Sequence, residues 1–240
     1  MGTWETSAVI WGGTGHAKVV HQLLQSLGIR VGCVCDRDPG VTSPIAGVPV
    51  WHTEKEFLTW LNGTDATRLC FAAAIGGTRG ASRLAVHAYL TKMGIRPIAL
   101  AHPSAWIDGT ATLGSGHQVL AMAAIGIDVS LGTQCIVNTS ATVDHDTRLG
   151  DGVHVMPGAT IAGEVDIEDE AVIGTNATVL PHLRVGSCAI VGAGAVVTRD
   201  VAPGMTVVGV PAKPIEGRAR VPSGSADPWS CDLDGPHGTR

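Results

Sequence analysis

From Ile107 onward an aliphatic residue falls on every sixth position without a break. The series runs Ile107, Leu113, Val119, Ile125, Leu131, Val137, Val143 and Leu149. It continues through Val155, Ile161, Ile167, Ile173, Val179, Val185, Val191 and Val197. A helix repeats near 3.6 residues and a half-buried strand at 2, so neither accounts for a period of six. Glycine often follows the aliphatic residue, as at Gly126 and Gly174, and a small residue often sits four places on, as at Ala141 and Ala159. This is the hexapeptide pattern of a parallel β-helix. Each hexad supplies one flat face and one corner, and the aliphatic side chain points inward onto its copies above and below. The glycine and polar positions are expected at corners, where positive φ is common.

The first hundred residues follow another rhythm. "SAVIWGG", "RVGCVCD", "RLCFAAAIGG" and "RPIAL" read as strands. "HAKVVHQLLQSLG", "HTEKEFLTWLNG" and "TRGASRLAVHAYLTKMG" read as helices, the second capped by Thr53. Strand–helix alternation implies a parallel sheet with both faces covered. The expected organisation is a Rossmann-like α/β domain over 1–102, a β-helix over 103–216, and a Gly-, Pro- and Ser-rich disordered tail over 217–240. Trp229 and Cys231 in that tail are candidates for docking elsewhere.

Composition agrees with stacked small layers: 32 glycines and 4% aromatics suit thin, repetitive coils better than a helical bundle. The net charge of -5 comes without a basic cluster, which argues against nucleic-acid binding. No apolar run approaches the roughly 20 residues of a membrane span, and no signal peptide precedes "SAVIWGG". The six cysteines form no CxxC pair and read as buried thiols of a reducing cytosol.

Candidate chemistry gathers in "VDHDTRLGDGVHV", Val143 to Val155. Charged residues at outward positions of a β-helix cost the core little, so His145 and His154 read equally as surface residues or as site residues. His145 beside Asp146 is suited to general-base work, the carboxylate orienting the ring, with Asp144 a rival orienter. Gly163 lies one eighteen-residue coil above His145, and its N–H is a candidate oxyanion donor. In the α/β domain "GGTGHAK" closes a strand and opens a helix, a place that favours an anion. It lacks the third glycine of G-x-G-x-x-G, Lys18 standing there, so an intact NAD fingerprint is absent. Asp36 ends the second strand, where a carboxylate reaches a ribose or base, with Arg37 beside it. Lys213 is a candidate partner for a phosphate or a solvated side chain.

"GGTGHAKVV", "HPSAWI", the unbroken hexads, "NTSATVDHD", "GTNATVLP" and "VVGVPAKP" together resemble the nucleotide-sugar acetyltransferases related to the sialic acid O-acetyltransferase and to bacillosamine-pathway N-acetyltransferases. The resemblance covers residues 7 to about 215. It implies a left-handed coil, a homotrimer, and acetyl-CoA bound between neighbouring β-helices, with no metal. It implies His145 as catalytic base, although relatives often carry Glu where Asp146 stands. It further implies cofactor contacts at His154, Thr175 and Ala193, with Lys213 toward a CoA phosphate. Thr14, Gly15, His16 and Gly76, with Asp36 and Arg37, are expected at the nucleotide sugar.

The expected activity is cytoplasmic N-acetylation of a nucleotide-linked amino sugar, a 4-amino-4,6-dideoxyhexose, by direct attack. O-acetylation of a sialic acid or related sugar is the alternative. A metal site of the carbonic-anhydrase kind would need three converging histidines from His117, His145, His154 and His182, and their spacing matches no ligand set. A non-catalytic scaffold is disfavoured by the intact His–Asp pair.

Overall fold

The computed structural model describes residues 6–215 and 227–229. A five-stranded parallel sheet opens the chain. Its strands are β1 (Ser7–Trp11), β2 (Arg30–Cys35), β3 (Val50–Trp51), β4 (Leu69–Ala73) and β5 (Arg96–Pro97), in the order β3-β2-β1-β4-β5. Three helices cover it: α1 (Gly15–Ser26), α2 (Glu54–Asn62) and α3 (Gly80–Lys92). Thr53 caps α2 through a reciprocal capping box with Glu56, which satisfies backbone donors at its first turn. β1 and β4 are buried along almost their whole length, as expected of strands sandwiched between helices. Cys33, Cys35, Cys70, Cys135 and Cys188 are buried free thiols, and burial pushes Cys135 up to about 12.

The expected strand over 96–100 divides. Arg96–Pro97 closes the α/β sheet, whereas β6 (Leu100–Ala101) pairs with Gln118–Val119 in the next structure. The first coil therefore starts a few residues ahead of the expected junction at 102. The cause is local: the Leu100 N–H already bonds the His117 carbonyl of the coil above.

From there the chain winds as a left-handed β-helix of two-residue strands in three parallel sheets. Residues eighteen apart are stacked: Val143 pairs with Ile161, Leu149 with Ile167, and Val155 with Ile173. The three faces are named here by their inward residues in one coil: the Val143, Leu149 and Val155 faces. The inward ladder forms one continuous buried cluster. Each fully buried Val or Ile contributes roughly 1.5–3 kcal/mol of burial, so regular repetition compensates for the scarcity of aromatic rings.

The corners differ from expectation in one respect. Positive φ belongs to the third residue after most of the aliphatics, as at Asp146 (56°), Glu164 (58°) and Asn176 (54°), and not to the glycine directly after it. That glycine is required by stacking. A Cβ on Gly174 would lie 2.6 Å from the Val191 carbonyl oxygen of the next coil.

The α/β domain is fastened to the β-helix along the Val155 face and the corner preceding it. Fully buried Arg83 of α3 donates to the carbonyls of Ile75 (3.1 Å), Gln134 (3.0 Å) and Gly152 (2.5 Å). Gln118 donates to the Ala73 carbonyl at 2.8 Å. No helix among the described residues is long and apolar enough to cross a membrane. Of the tail expected to be disordered, Asp227–Trp229 is described, and the Trp229 ring packs against Trp11. The remainder, Cys231 included, lies outside the described residues.

Candidate active site

His145 projects from the corner between the Val143 and Leu149 faces, half exposed. Its Nδ1 lies 2.8 Å from Asp146 Oδ2. A carboxylate only accepts, so Nδ1 carries the proton, and in the neutral ring the lone pair is on Nε2. The turn itself fixes this pair. Asp146 adopts φ 56° while its N–H bonds the Ile127 carbonyl of the coil below. The bond to Asp146 raises the imidazole above its usual range, helped by the charges of Asp144 and Glu164. The Asp144 carboxylate makes a different contact: its Oδ1 accepts the His145 backbone N–H at 2.8 Å.

The imidazole rests over Gly163. A Cβ there would lie 2.5 Å from His145 Nε2 and 2.6 Å from Cε1. The Gly163 carbonyl accepts from the His182 N–H. Its own N–H has no acceptor among the described residues.

His154 sits elsewhere. It stands on the Val155 face, 3% exposed, with Nδ1–H donating to the Gly77 carbonyl at 3.0 Å and Nε2 accepting from Asn138 at 3.2 Å. Burial and the nearby Arg83 charge push it down to about 3, so it is neutral. His16 is similar: Nε2 donates to Gln118 at 2.8 Å, and burial lowers its proton affinity. Both histidines lie in the joint between α/β domain and β-helix. Thr175 and Ala193 are exposed, one coil apart, on the corner between the Val155 and Val143 faces. Lys213 lines a cavity of about 460 Å³ at the end of the β-helix, together with Arg199.

A second cavity, of about 550 Å³, opens at the carboxyl ends of β1, β2 and β4. Ligands of open α/β sheets bind at this end. Thr14, Asp36 and Arg37 all line it. Asp36 also holds the loop: Oδ2 accepts the Gly13 N–H at 2.7 Å and Oδ1 the Asp38 N–H at 3.0 Å. A Cβ on Gly13 would lie 2.6 Å from Val41, so only glycine fits that turn. Gly15 and Gly76 border open space, with nothing within 4 Å of a Cβ, while His16 faces the β-helix. Arg79, Arg199 and Pro228 are cavity residues that the sequence did not single out. Only the VPAKP neighbourhood of Arg199 offered a signal. Among the described residues no group of three or more His, Cys, Asp or Glu side chains could hold a metal.

Comparison with known proteins agrees with this geometry. Residues 7–86 match the PglD N-terminal domain model, and residues 146–181 match the bacterial transferase hexapeptide model. The structure of PerB from Caulobacter crescentus, solved with CoA and GDP-perosamine, is 36% identical. The match covers 88% of this chain and 97% of that one, with a TM-score of 0.79. The chain belongs to the hexapeptide-repeat sugar N-acetyltransferases. The acetyltransferase domain of PglB from Neisseria gonorrhoeae FA1090 is 34% identical over 88% of this chain and all of its own, at TM-score 0.77. WeeI from Acinetobacter baumannii AYE is 29% identical with the same coverage, at TM-score 0.78. No curated protein sequence matches significantly.

Proposed function

We propose that the protein transfers the acetyl group of acetyl-CoA to the amine of a nucleotide-linked 4-amino-4,6-dideoxyhexose, with His145 as general base. One observation carries this reading: Asp146 holds Nδ1–H, so the neutral His145 ring has its lone pair on Nε2, which lies over the Gly163 backbone. The sugar amine attacks the thioester carbonyl carbon and gives its proton to Nε2. The Gly163 N–H stabilises the oxyanion. Collapse breaks the C–S bond, and the imidazolium returns the proton to the departing thiolate. No acyl-enzyme is needed, and the buried thiols are protected from such a role.

The cavity at the carboxyl edge of the α/β sheet suits the nucleoside diphosphate. Thr14 and the α1 N-terminus supply donors, and Asp36 and Arg37 lie beyond. PerB, solved with CoA and GDP-perosamine, supports both ligand classes for this chain. That enzyme was also solved with one histidine replaced by asparagine or alanine. Lys213 and Arg199 suit the CoA phosphates, and Thr175 and Ala193 the edge along which the cofactor lies.

His145 and the Thr175–Ala193 corner flank the same Val143 face from opposite sides. A homotrimer joined through that face sets His145 of one copy beside the Thr175 corner of the next. Exposed Trp106 (56%), Met122 (63%) and Ile127 (52%) lie on that face or its edges, an apolar concentration suited to a protein partner. The division into a nucleotide-binding domain and an acetyl-transferring β-helix follows from the same assignment.

A thiol-release assay with GDP-, UDP-, dTDP- and CDP-linked amino sugars, run against matched hydroxyl acceptors and sialic acid, tests the reading. Thiol release with an amino sugar alone is the expected result. Release with hydroxyl acceptors alone would establish the O-acetyltransferase alternative instead.

A further inference from the structure

The segment Asp227–Trp229 lies against the α/β domain. Trp229 packs on Trp11 with ring centroids 4.6 Å apart, and on Phe57 at 6.2 Å. Trp11 is the last residue of β1, directly before the Gly12–Gly13 turn of the nucleotide cavity. The Asp227 carboxylate accepts the Trp229 N–H at 2.9 Å, which closes a local turn. That turn aims Pro228 inward: it is buried and lines the same cavity as Trp11, Asp36, Arg37 and Pro39.

We infer that Asp227–Trp229 is a wall of the nucleotide-sugar site, with Trp229 as its anchor and Pro228 as a contact for the nucleoside. The inference rests on the assignment of this cavity to a nucleoside diphosphate. The physical case is direct. A strand-end carboxylate such as Asp36 reads the ribose side of a nucleotide in open α/β sheets. The residues sharing that end of the cavity therefore meet ribose or base, and a proline ring offers a flat apolar surface to either. Docking one large aromatic on an existing aromatic cluster supplies the energy to hold a short segment there. The segment thus sets nucleoside affinity and selectivity, not chemistry. Its place is remote from the His145 corner, since the α/β domain joins the β-helix along the Val155 face.

The test is equilibrium binding of GDP, UDP, dTDP and CDP to the full chain and to Trp229→Ala, Trp229→Phe, Pro228→Gly and a chain ending at residue 215. The full chain should bind at least one diphosphate. Trp229→Ala and the shortened chain should lose about tenfold in that affinity, a loss equal to one good aromatic contact. Trp229→Phe should recover most of it, and Pro228→Gly should narrow the preference among bases. The KM for acetyl-CoA should stay unchanged in all four. Unchanged diphosphate affinity in Trp229→Ala and the shortened chain would overturn the inference while leaving the cavity assignment intact. Tighter binding would overturn it too, because the segment would then be a plug. Failure of the full chain to bind any of the four would remove the cavity assignment and the inference together.

Discussion

The imidazole of His145 occupies the space that a Cβ on Gly163 would need, 2.5 Å from Nε2. Residue 163 must be glycine for the ring to lie where it does. Gly163→Ala keeps the backbone N–H but displaces the ring. A misplacement near 1 Å costs on the order of 10²-fold in rate, so kcat should fall by about that factor. Thermal stability should change little, because the His145 ring that must move is half exposed and can swing into solvent. The check is a kcat comparison beside a melting curve.

The Asp146 carboxylate raises the His145 pKa by holding its Nδ1–H. The neutral base is lost as pH falls through that raised value, so the acid limb of kcat/KM lies above the ordinary histidine range. Asp146→Asn removes the anion that favours imidazolium. Its acid limb should move to lower pH, with a lower plateau because the tautomer is less firmly fixed. A pH–rate profile of both proteins decides this, and an unmoved limb would speak against Asp146 as the orienter.

The joint between the domains makes the fold acid-sensitive. His154 and His16 are both held below their ordinary pKa, chiefly by burial, His154 down to about 3. Unfolded, each binds a proton near pH 6.5, so the unfolded state holds more protons between that pH and the folded value. Their stabilising effect is full above about pH 6.5 and declines as pH falls. Each contributes up to about 1.4 kcal/mol per pH unit to the slope. Urea unfolding between pH 7.5 and 5 should show falling stability, with a shallower slope in His154→Gln.

Arg83 donates its hydrogen bonds to carbonyl oxygens, those of Ile75, Gln134 and Gly152 and, at 3.5 Å, Val153. Arg83→Ala leaves buried acceptors unsatisfied at roughly 1–3 kcal/mol apiece. Denaturant unfolding should show a loss of at least that size. Arg83→Lys should recover part of it, since an ammonium reaches one or two of these carbonyls.

Lys213 and Arg199 share the terminal cavity. If CoA phosphates lie there, Lys213→Ala raises the KM for acetyl-CoA several-fold, leaves the KM for the nucleotide sugar alone, and weakens the salt dependence of the former.

The sequence disclosed the β-helix because an eighteen-residue coil imposes its period on every inward side chain, and sixfold spacing has no competing explanation. The His145–Asp146 contact was legible because a histidine directly followed by an acid at an outward position is chemically distinctive. The joint was not. Arg83, Gln118 and His16 have the spelling of solvated helix and corner residues, and only the tertiary fold removes water from them. Trp229 stood out as a docking candidate, but its Gly-, Pro- and Ser-rich neighbours gave no hint that its partner is Trp11. The corner glycines misled in the opposite sense. Glycine commonly signals a left-handed turn, but here coil stacking requires it, and Asp146 and Glu164 take the left-handed positions.

The most direct measurement is steady-state acetyl transfer by His145→Ala, with CoA affinity and oligomer mass followed on the same preparation. Loss of a general base lowers kcat by about 10²–10⁴-fold, and that loss is expected with CoA binding and assembly unchanged. Turnover near the wild-type rate would contradict the account, which assigns proton removal to this imidazole alone.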